Sequence, residues 1–330
     1  MIRAAVVGLG WWGQKIIHDL RHSAHVQVGL GIDPSQDGRE LAEAQGVRTA
    51  DSFEHALGDG SLDAVILCTP HKFHAEQIVA AAKMGKHVFC EKPLTTTSAE
   101  ARTAIEAVAA AGVQLGIGHE RRFEPAVMRL RDQCRAGDLG TPLVFEGNFS
   151  QDKFLTLPPD NWRLSDTDAP VGPLSATGIH LVDLAIALFG RPVEVWARLS
   201  TLATAFANGD TLTVTIGFEH GQTALITAIL TTPFAGRVTV LGSRGWVEIR
   251  DRNHPELPRG WDVTTVQRGE DPISTFYPPH PSVRDNIEQF ARAASGETSY
   301  PVTFDEMLSN VRTFEAITRS ARSGRVEPVG

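Results

Sequence analysis

The sequence predicts an α/β protein of two parts, a doubly wound parallel sheet followed by an α/β domain built on an open, mostly antiparallel sheet. Three observations carry this. Over roughly the first 120 residues short apolar runs alternate with amphipathic helical stretches, the strand–helix–strand rhythm of a parallel sheet covered on both faces. Directly after the first apolar run comes a glycine-rich turn, GLGWWG. Beyond residue 120 the rhythm changes to strand after strand, joined by short polar turns.

The expected strands of the first part are 2–7, 26–32, 64–68, 87–90 and 114–118, with helices between them. One of these is 98–111, which has a serine to start it and Gly112 to stop it. In the second part a helix is expected over 124–135 and a strand over 143–149. A long loop rich in proline and aspartate, SQDKFLTLPPDNWRLSDTDAPVG, follows; a connector of that length usually carries a site. The strands VEVWARL, TLTVTIGF, TALITAIL, RVTVLG and GWVEIR come next, and helices over 282–294 and 304–320 close the chain. In TLTVTIGF, Leu212, Val214 and Ile216 alternate with Thr211, Thr213 and Thr215, so one face is apolar and the other suits solvent or a second subunit. The domain boundary is expected at 120/121, giving a cofactor domain of 1–120 and a substrate-binding and oligomerisation domain of 121–330.

Composition excludes several classes. A chain of 330 residues with 42% hydrophobic and 21% charged residues reads as globular. A formal net charge of −8 without a dense Lys/Arg stripe argues against nucleic acid as a partner. No apolar run is long enough to span a bilayer, and MIRAAVVGLG reads as a strand and not as an export leader, so no membrane partner is expected. Cys68, Cys90 and Cys134 are odd in number and lack metal-ligand spacing; reduced thiols, a cytoplasmic location and no metal are the expectation.

Four stretches carry chemistry. In AAVVGLGWWGQKI, Gly8, Gly10 and Gly13 have the G-x-G-x-x-G spacing between a strand and a helix, with Leu9, Trp11 and Trp12 in the same turn. Gly8 permits the tight turn, Gly10 lets a pyrophosphate approach the backbone, and Gly13 lets helix and strand pack closely, which is the Rossmann dinucleotide fingerprint. Asp33, ending the second strand, suits the ribose hydroxyls of NAD and repels the 2′-phosphate of NADP. NAD is therefore expected ahead of NADP, although Arg39 stands close enough in sequence to serve a 2′-phosphate. ILCTPHKFHAEQ puts Thr69, Pro70 and His74 at another strand end. FCEKPLT puts Glu91 and Lys92 at the next. Burial and a cationic nicotinamide both disfavour an ammonium, which suits Lys92 to take a hydroxyl proton, while Glu91 can hold a ribose or orient Lys92.

Taken together, GLGWWG, Asp33, TPHKFH and EKP closely resemble the Gfo/Idh/MocA family of glucose-fructose oxidoreductase and inositol dehydrogenase, and the resemblance runs along the whole chain. GHERRFEP at 118–125, NWR at 161–163 and GPLSATGIHLVD at 172–183 are similar to the segment opening the family's second domain, its Trp–Arg pair and its signature helix. The resemblance implies a Rossmann domain, a second α/β domain whose sheet forms a homodimer or homotetramer interface, and a small-molecule substrate. It further implies that Lys92 is catalytic and precedes an often cis Pro93, that Trp162 and Arg163 close over the cofactor, and that His180 is the second catalytic residue.

Two departures stand out. Ala176 occupies the position where many inositol- and sugar-oxidising members carry an aspartate one turn before the histidine, and Glu120 stands where relatives often have asparagine, beside the cofactor. Asp183, three residues after His180, is a partial replacement or a structural carboxylate. His119, Arg121, Arg122, Lys153 and Arg163 form a candidate basic cluster for an acidic substrate, and Tyr277 is a candidate pocket residue in a loop.

The resulting expectation is an NAD-dependent oxidoreductase moving a hydride between nicotinamide and a secondary alcohol or ketone of a cyclic polyol, sugar or sugar-like acid. The alternatives are an NAD-retaining lyase or glycosidase that oxidises its substrate transiently, a dehydrogenase of carboxylated cyclic diols, and a non-catalytic NAD-binding sensor.

Overall fold

The computed structural model describes residues 1–330, which form two compact units. The first comprises Met1–Glu120 and Pro281–Leu308, the second Arg121–His280 and Ser309–Gly330.

In the first unit the chain runs β1 (Ile2–Val7), α1 (Trp11–Leu20), β2 (Val26–Ile32), α2 (Gln36–Glu43), β3 (Thr49–Ala50), α3 (Phe53–Gly58), β4 (Ala64–Leu67), α4 (His74–Lys83), β5 (His87–Cys90), α5 (Ser98–Ala111) and β6 (Leu115–Ile117). All six strands are parallel in the order β3-β2-β1-β4-β5-β6, so the direction of winding reverses between β1 and β4. In such a sheet ligands bind at the carboxyl ends of the strands around that reversal. Ala64–Leu67 is buried at every position, as a strand covered on both faces must be. The cap of α5 is Thr97, one residue before the expected serine: its side chain accepts from the Glu100 N–H at 3.3 Å, while Gly112 ends the helix at φ +65°. The two-residue β3 was not anticipated, being too short to show a period.

The second unit holds α6 (Pro125–Ala136), β7 (Pro142–Ser150), α7 (Ile179–Phe189), β8 (Pro192–Ser200), β9 (Thr211–Phe218), β10 (Thr223–Ile229), β11 (Ala235–Gly242), β12 (Gly245–Asp251), β13 (Trp261–Gln267) and β14 (Ile273–Tyr277). After α8 (Ser282–Ala294), which belongs to the first unit, α9 (Phe304–Ser323) leads to β15 (Glu327–Pro328). The nine-stranded sheet has the order β14-β13-β12-β11-β7-β10-β9-β8-β15; only β7 and β10 are parallel neighbours. Leu212, Val214, Ile216 and Phe218 of β9 point into the core shared with Leu181 and Val182 of α7 and Phe314 of α9, whereas Thr213 of β9 and Trp196 of β8 are exposed. No helix is long and apolar enough to cross a membrane.

The sequence reading is corrected in two places. Residues 281–308 lie in the first unit, where Asn286 donates to the Ile117 carbonyl at 2.9 Å and the Tyr300 hydroxyl, 2.6 Å from Asn286 Oδ1, accepts from the Ile117 N–H. These contacts satisfy the edge strand β6, and Phe290 stacks edge-on against Phe89. Tyr277 is the last residue of β14, paired with Trp261 and packed on the core, so it is not in a loop.

A buried ion cluster ties α6 to β12. Arg121, 1% exposed, donates from one nitrogen to both oxygens of Asp251 at 2.8 Å and from Nε to Glu124 at 3.2 Å, with Trp261 Nε1 on Asp251 at 2.9 Å. Burial works against the charge, but Asp251 and Glu124 outweigh it and hold the guanidinium firmly protonated. Arg121→Met should destabilise the protein by about 3–5 kcal/mol in denaturant titration, because it strands two buried carboxylates; a change below about 1 kcal/mol would show that the cluster does not hold this unit together.

Candidate functional site

The carboxyl edge of the first sheet is built around three glycines that differ in what surrounds them. Gly8 sits at φ +91°, and a Cβ there would come within 2.7 Å of the Cys68 carbonyl oxygen. A Cβ at Gly13 would overlap the carbonyl oxygen of Gly8, so α1 can seat against β1 only through a glycine. Gly10, the residue before α1, has nothing within 4 Å of where its Cβ would be. No packing inside the protein demands a glycine at that point. A bare backbone at a helix N-terminus is what a diphosphate requires, and the residues present fit a bound dinucleotide.

Asp33 is fixed beside this turn: its Oδ2 accepts from Leu9 N–H at 2.6 Å and its Oδ1 from Ser35 N–H at 2.8 Å. Arg39 donates from Nη1 to the carbonyls of Asp33 and Pro34 at 2.7 and 2.9 Å, which places it on the same loop. Leu9 is buried beneath the turn, while Trp11 is exposed and meets Trp12 edge-on at 5.3 Å.

His74, expected at the cofactor, sits below the strand ends. It is wholly buried, with Nε2 2.9 Å from the Thr69 carbonyl and Nδ1 2.8 Å from the Pro93 carbonyl. Burial lowers its pKa, against the pull of the Pro93 and Thr69 carbonyls. The ring thus lies between the Thr69–Pro70 strand end and the Lys92–Pro93 turn, whose peptide bond is cis, and as a neutral imidazole it donates to one of the two carbonyls. The Thr69 hydroxyl donates to Gln77 at 2.6 Å. Glu91 is buried at the end of β5 and its Oε2 accepts from the Lys92 main-chain N–H at 3.2 Å. Gly118, which the sequence reading passed over, must lack a side chain because the Glu91 carboxylate lies where its Cβ would be. His119 and Glu120 follow it and are both buried. Gly8, Gly10, Gly13, Asp33, Thr69, Pro70, Glu91, Lys92 and Glu120 therefore gather at one edge of one sheet.

In the second unit, His180 is the second residue of α7, 4% exposed, with its ring 5.9 Å from that of Phe149. The turn before it, Leu174–Gly178, is a π-helix, a form frequent at functional sites. Ala176 is therefore not one α-helical turn from His180, and it packs on an apolar cluster of Phe154, Leu164 and Leu230. A carboxylate buried there would have no polar partner from that cluster. Asp183 is paired with Arg122: its two oxygens accept from Arg122 Nε and Nη2, both at 2.7 Å. Lys153 is likewise paired, with Glu256 and with His254 Nδ1 at 3.1 Å, and Arg121 is locked in its own cluster. The expected basic cluster is thus largely neutralised by the protein's own carboxylates. Arg163 is a different case: it lies 4.4 Å over the ring of Trp162, and burial brings its pKa down to about 10. Asn208, unforeseen, clasps this loop by donating to the carbonyls of Arg163 and Ala169, each at 2.8 Å. His254 was also missed; it stacks 5.4 Å from Phe149, and its turn-rich surroundings, RNHPELP, gave no periodic signal.

Comparison with known proteins agrees on one family. Residues 2–119 match a family described as "Oxidoreductase family, NAD-binding Rossmann fold", and residues 127–248 match the "GFO/IDH/MocA C-terminal domain". The chain is 30% identical to D-xylose 1-dehydrogenase (NADP(+)) 2 of Haloferax volcanii over 97% of each chain. It is 29% identical to scyllo-inositol 2-dehydrogenase (NAD(+)) of Bacillus subtilis over 98% of this chain and 95% of that one. Among solved structures, the aldose-aldose oxidoreductase of Caulobacter crescentus superimposes with a TM-score of 0.87 at 25% identity, covering 99% of both chains.

The glycines separate folding from binding. Gly10→Ala should cost the fold no more than about 1 kcal/mol, the difference between glycine and alanine at a helix N-cap, yet weaken dinucleotide binding at least about tenfold, or 1.4 kcal/mol. Gly13→Ala should lower the melting temperature clearly. Unaltered dinucleotide affinity in Gly10→Ala would remove this turn from the site.

Proposed function

Because the chain belongs to the Gfo/Idh/MocA oxidoreductase family, we propose that it is an NAD-dependent dehydrogenase of a secondary alcohol on a sugar or cyclic polyol. The observation that carries this is the open glycine at residue 10, at the head of α1 and flanked by the fixed carboxylate of Asp33, on the same sheet edge as Lys92. A bound nicotinamide supplies the hydride acceptor or donor. The chain's own residues supply the rest. The backbone around Gly10 holds the diphosphate, Asp33 accepts ribose hydroxyls, Lys92 takes the hydroxyl proton during oxidation and returns it during reduction, and His180 is the second acid–base group.

NAD is favoured over NADP by Asp33. Its carboxylate is oriented by two main-chain N–H groups and would repel a 2′-phosphate, while one terminal nitrogen of Arg39 is engaged by backbone carbonyls. The similar dehydrogenases of Haloferax volcanii and Bacillus subtilis are named for NADP and NAD respectively, so the preference rests on this carboxylate. Neutral sugars and polyols are favoured over sugar acids, because Arg121, Arg122 and Lys153 already carry carboxylate partners. Self-association through the open face of the nine-stranded sheet, in a cytoplasmic setting, completes the proposal.

Absorbance at 340 nm, followed with NAD and NADP against aldoses, inositols and uronates, should rise with NAD and a neutral substrate. Lys92→Met should cut turnover by about a hundredfold or more while dinucleotide binding persists. Undiminished turnover in that variant would remove Lys92 from the chemistry, and no reduction with any substrate would favour transient oxidation or a sensor.

A further inference from the structure

Two acidic side chains of the first unit are buried at the ends of paired strands. Glu91 follows β5 directly, Glu120 lies just past β6, and they are only 8% and 5% exposed. The Glu91 carboxylate lies over Gly118, on the segment that leads to Glu120, and this glycine is what lets it fit there. The groups that act on Glu91 include Glu120, the Lys92 side chain and main-chain N–H, the Trp12 side chain, and the thiols of Cys68 and Cys90. Both thiols are held protonated, first by burial and then by Glu91 itself, so they add no charge. His119, buried between Gly118 and Glu120 in sequence, is a further titratable group on this segment.

Two carboxylates in a site poor in water cannot both ionise cheaply, and the protons of such a pair belong to the pair. Burial, then repulsion from Glu120, raises Glu91 to about 7, against Trp12 and Lys92.

We infer that Glu91 and Glu120 act as one proton-sharing pair that releases its proton when a cationic ring binds at this strand end and keeps it when a neutral ring binds. The inference rests on the dehydrogenase reading above and deepens it, since the pair then discriminates NAD+ from NADH. The balance is simple. Protein carrying the shared proton plus NAD+ gives the complex with both carboxylates ionised plus one proton in solution; NADH binds without proton release. No electrons move in this step. Below the titration of the pair, NAD+ must displace a proton and binds less tightly; above it the second negative charge is already in place. NAD+ affinity therefore rises with pH through neutrality, and NADH affinity does not. The departure at Glu120 thereby gains a role: it makes the site's preference for the oxidised nucleotide depend on pH.

The test is calorimetric titration of the whole protein with NAD+ and with NADH at about pH 6.5, where such a pair is largely protonated, in two buffers of different ionisation enthalpy. The expected result is most of one proton released with NAD+ and close to none with NADH, the difference collapsing in Glu120→Gln. Equal proton counts for the two nucleotides in the unaltered protein, or an unchanged difference in Glu120→Gln, would overturn the inference. A second measurement needs no variant and no nucleotide: carbon-13 NMR titration of the side-chain carboxyls in ligand-free protein should show one glutamate with a midpoint near neutrality, and every glutamate titrating below about pH 5 would equally overturn it. If neither nucleotide binds at all, the dehydrogenase reading fails, and the carboxyl titration alone decides whether the pair exists.

Discussion

The close seating of α1 on β1, Gly13 against the carbonyl of Gly8, is the constraint on which the first unit's chemistry depends. It aims the N-terminus of α1 at the edge of the sheet and leaves Gly10 as uncovered backbone. With any side chain at residue 13 the helix would have to back away, and the partial positive charge of its first turn would move from the strand ends where a diphosphate is held. Beside it Leu9 N–H donates to Asp33, so the glycine turn and this carboxylate are held together.

Further along that edge, buried polar groups take over from glycine packing. His74 lies between two carbonyls that belong to different strand ends, and so packs the Thr69 turn beside the cis Lys92–Pro93 turn. Glu91 reaches over Gly118 toward Glu120. Each of these groups is costly to bury singly. Together they hold a lysine, a carboxyl pair and a helix terminus at the ends of neighbouring parallel strands, where charge on a ligand is felt most strongly. In the second unit the same economy appears in another form: Arg121 and Arg122 are matched by Glu124, Asp251 and Asp183, so their charge organises the unit instead of being offered to a substrate.

Much of this was legible in the sequence, because strong local patterns decide strong local structure. The runs that became β1, β2, β5, β9 and α5 were read at their observed limits, since apolar period and stop signals agree there. The glycine spacing gave the turn between β1 and α1. What escaped depends on partners distant in sequence. The strands β13 and β14 carry polar and exposed residues and show no clean alternation, so only the pairing of β13 with β12 and of β14 with β13 defines them. The placement of 281–308 is set by Tyr300 and Asn286 on Ile117, a contact between residues more than 160 positions apart. The pairing of Arg122 with Asp183 and of Lys153 with Glu256 turned an apparent anion site into internal ion pairs; charge type can be read from a sequence, but its partner cannot. The π turn at Leu174–Gly178 likewise broke the one-turn spacing assumed between Ala176 and His180.

The central claim is that this sheet edge supports hydride transfer from a carbon-bound hydrogen. The direct measurement is a single turnover with NAD and sugars or polyols deuterated at each carbinol carbon, followed by NMR of the recovered nucleotide. The account predicts deuterium at C4 of the nicotinamide, on one face only, from a single labelled position. Bound NAD that acquires no deuterium from any labelled carbon would contradict it.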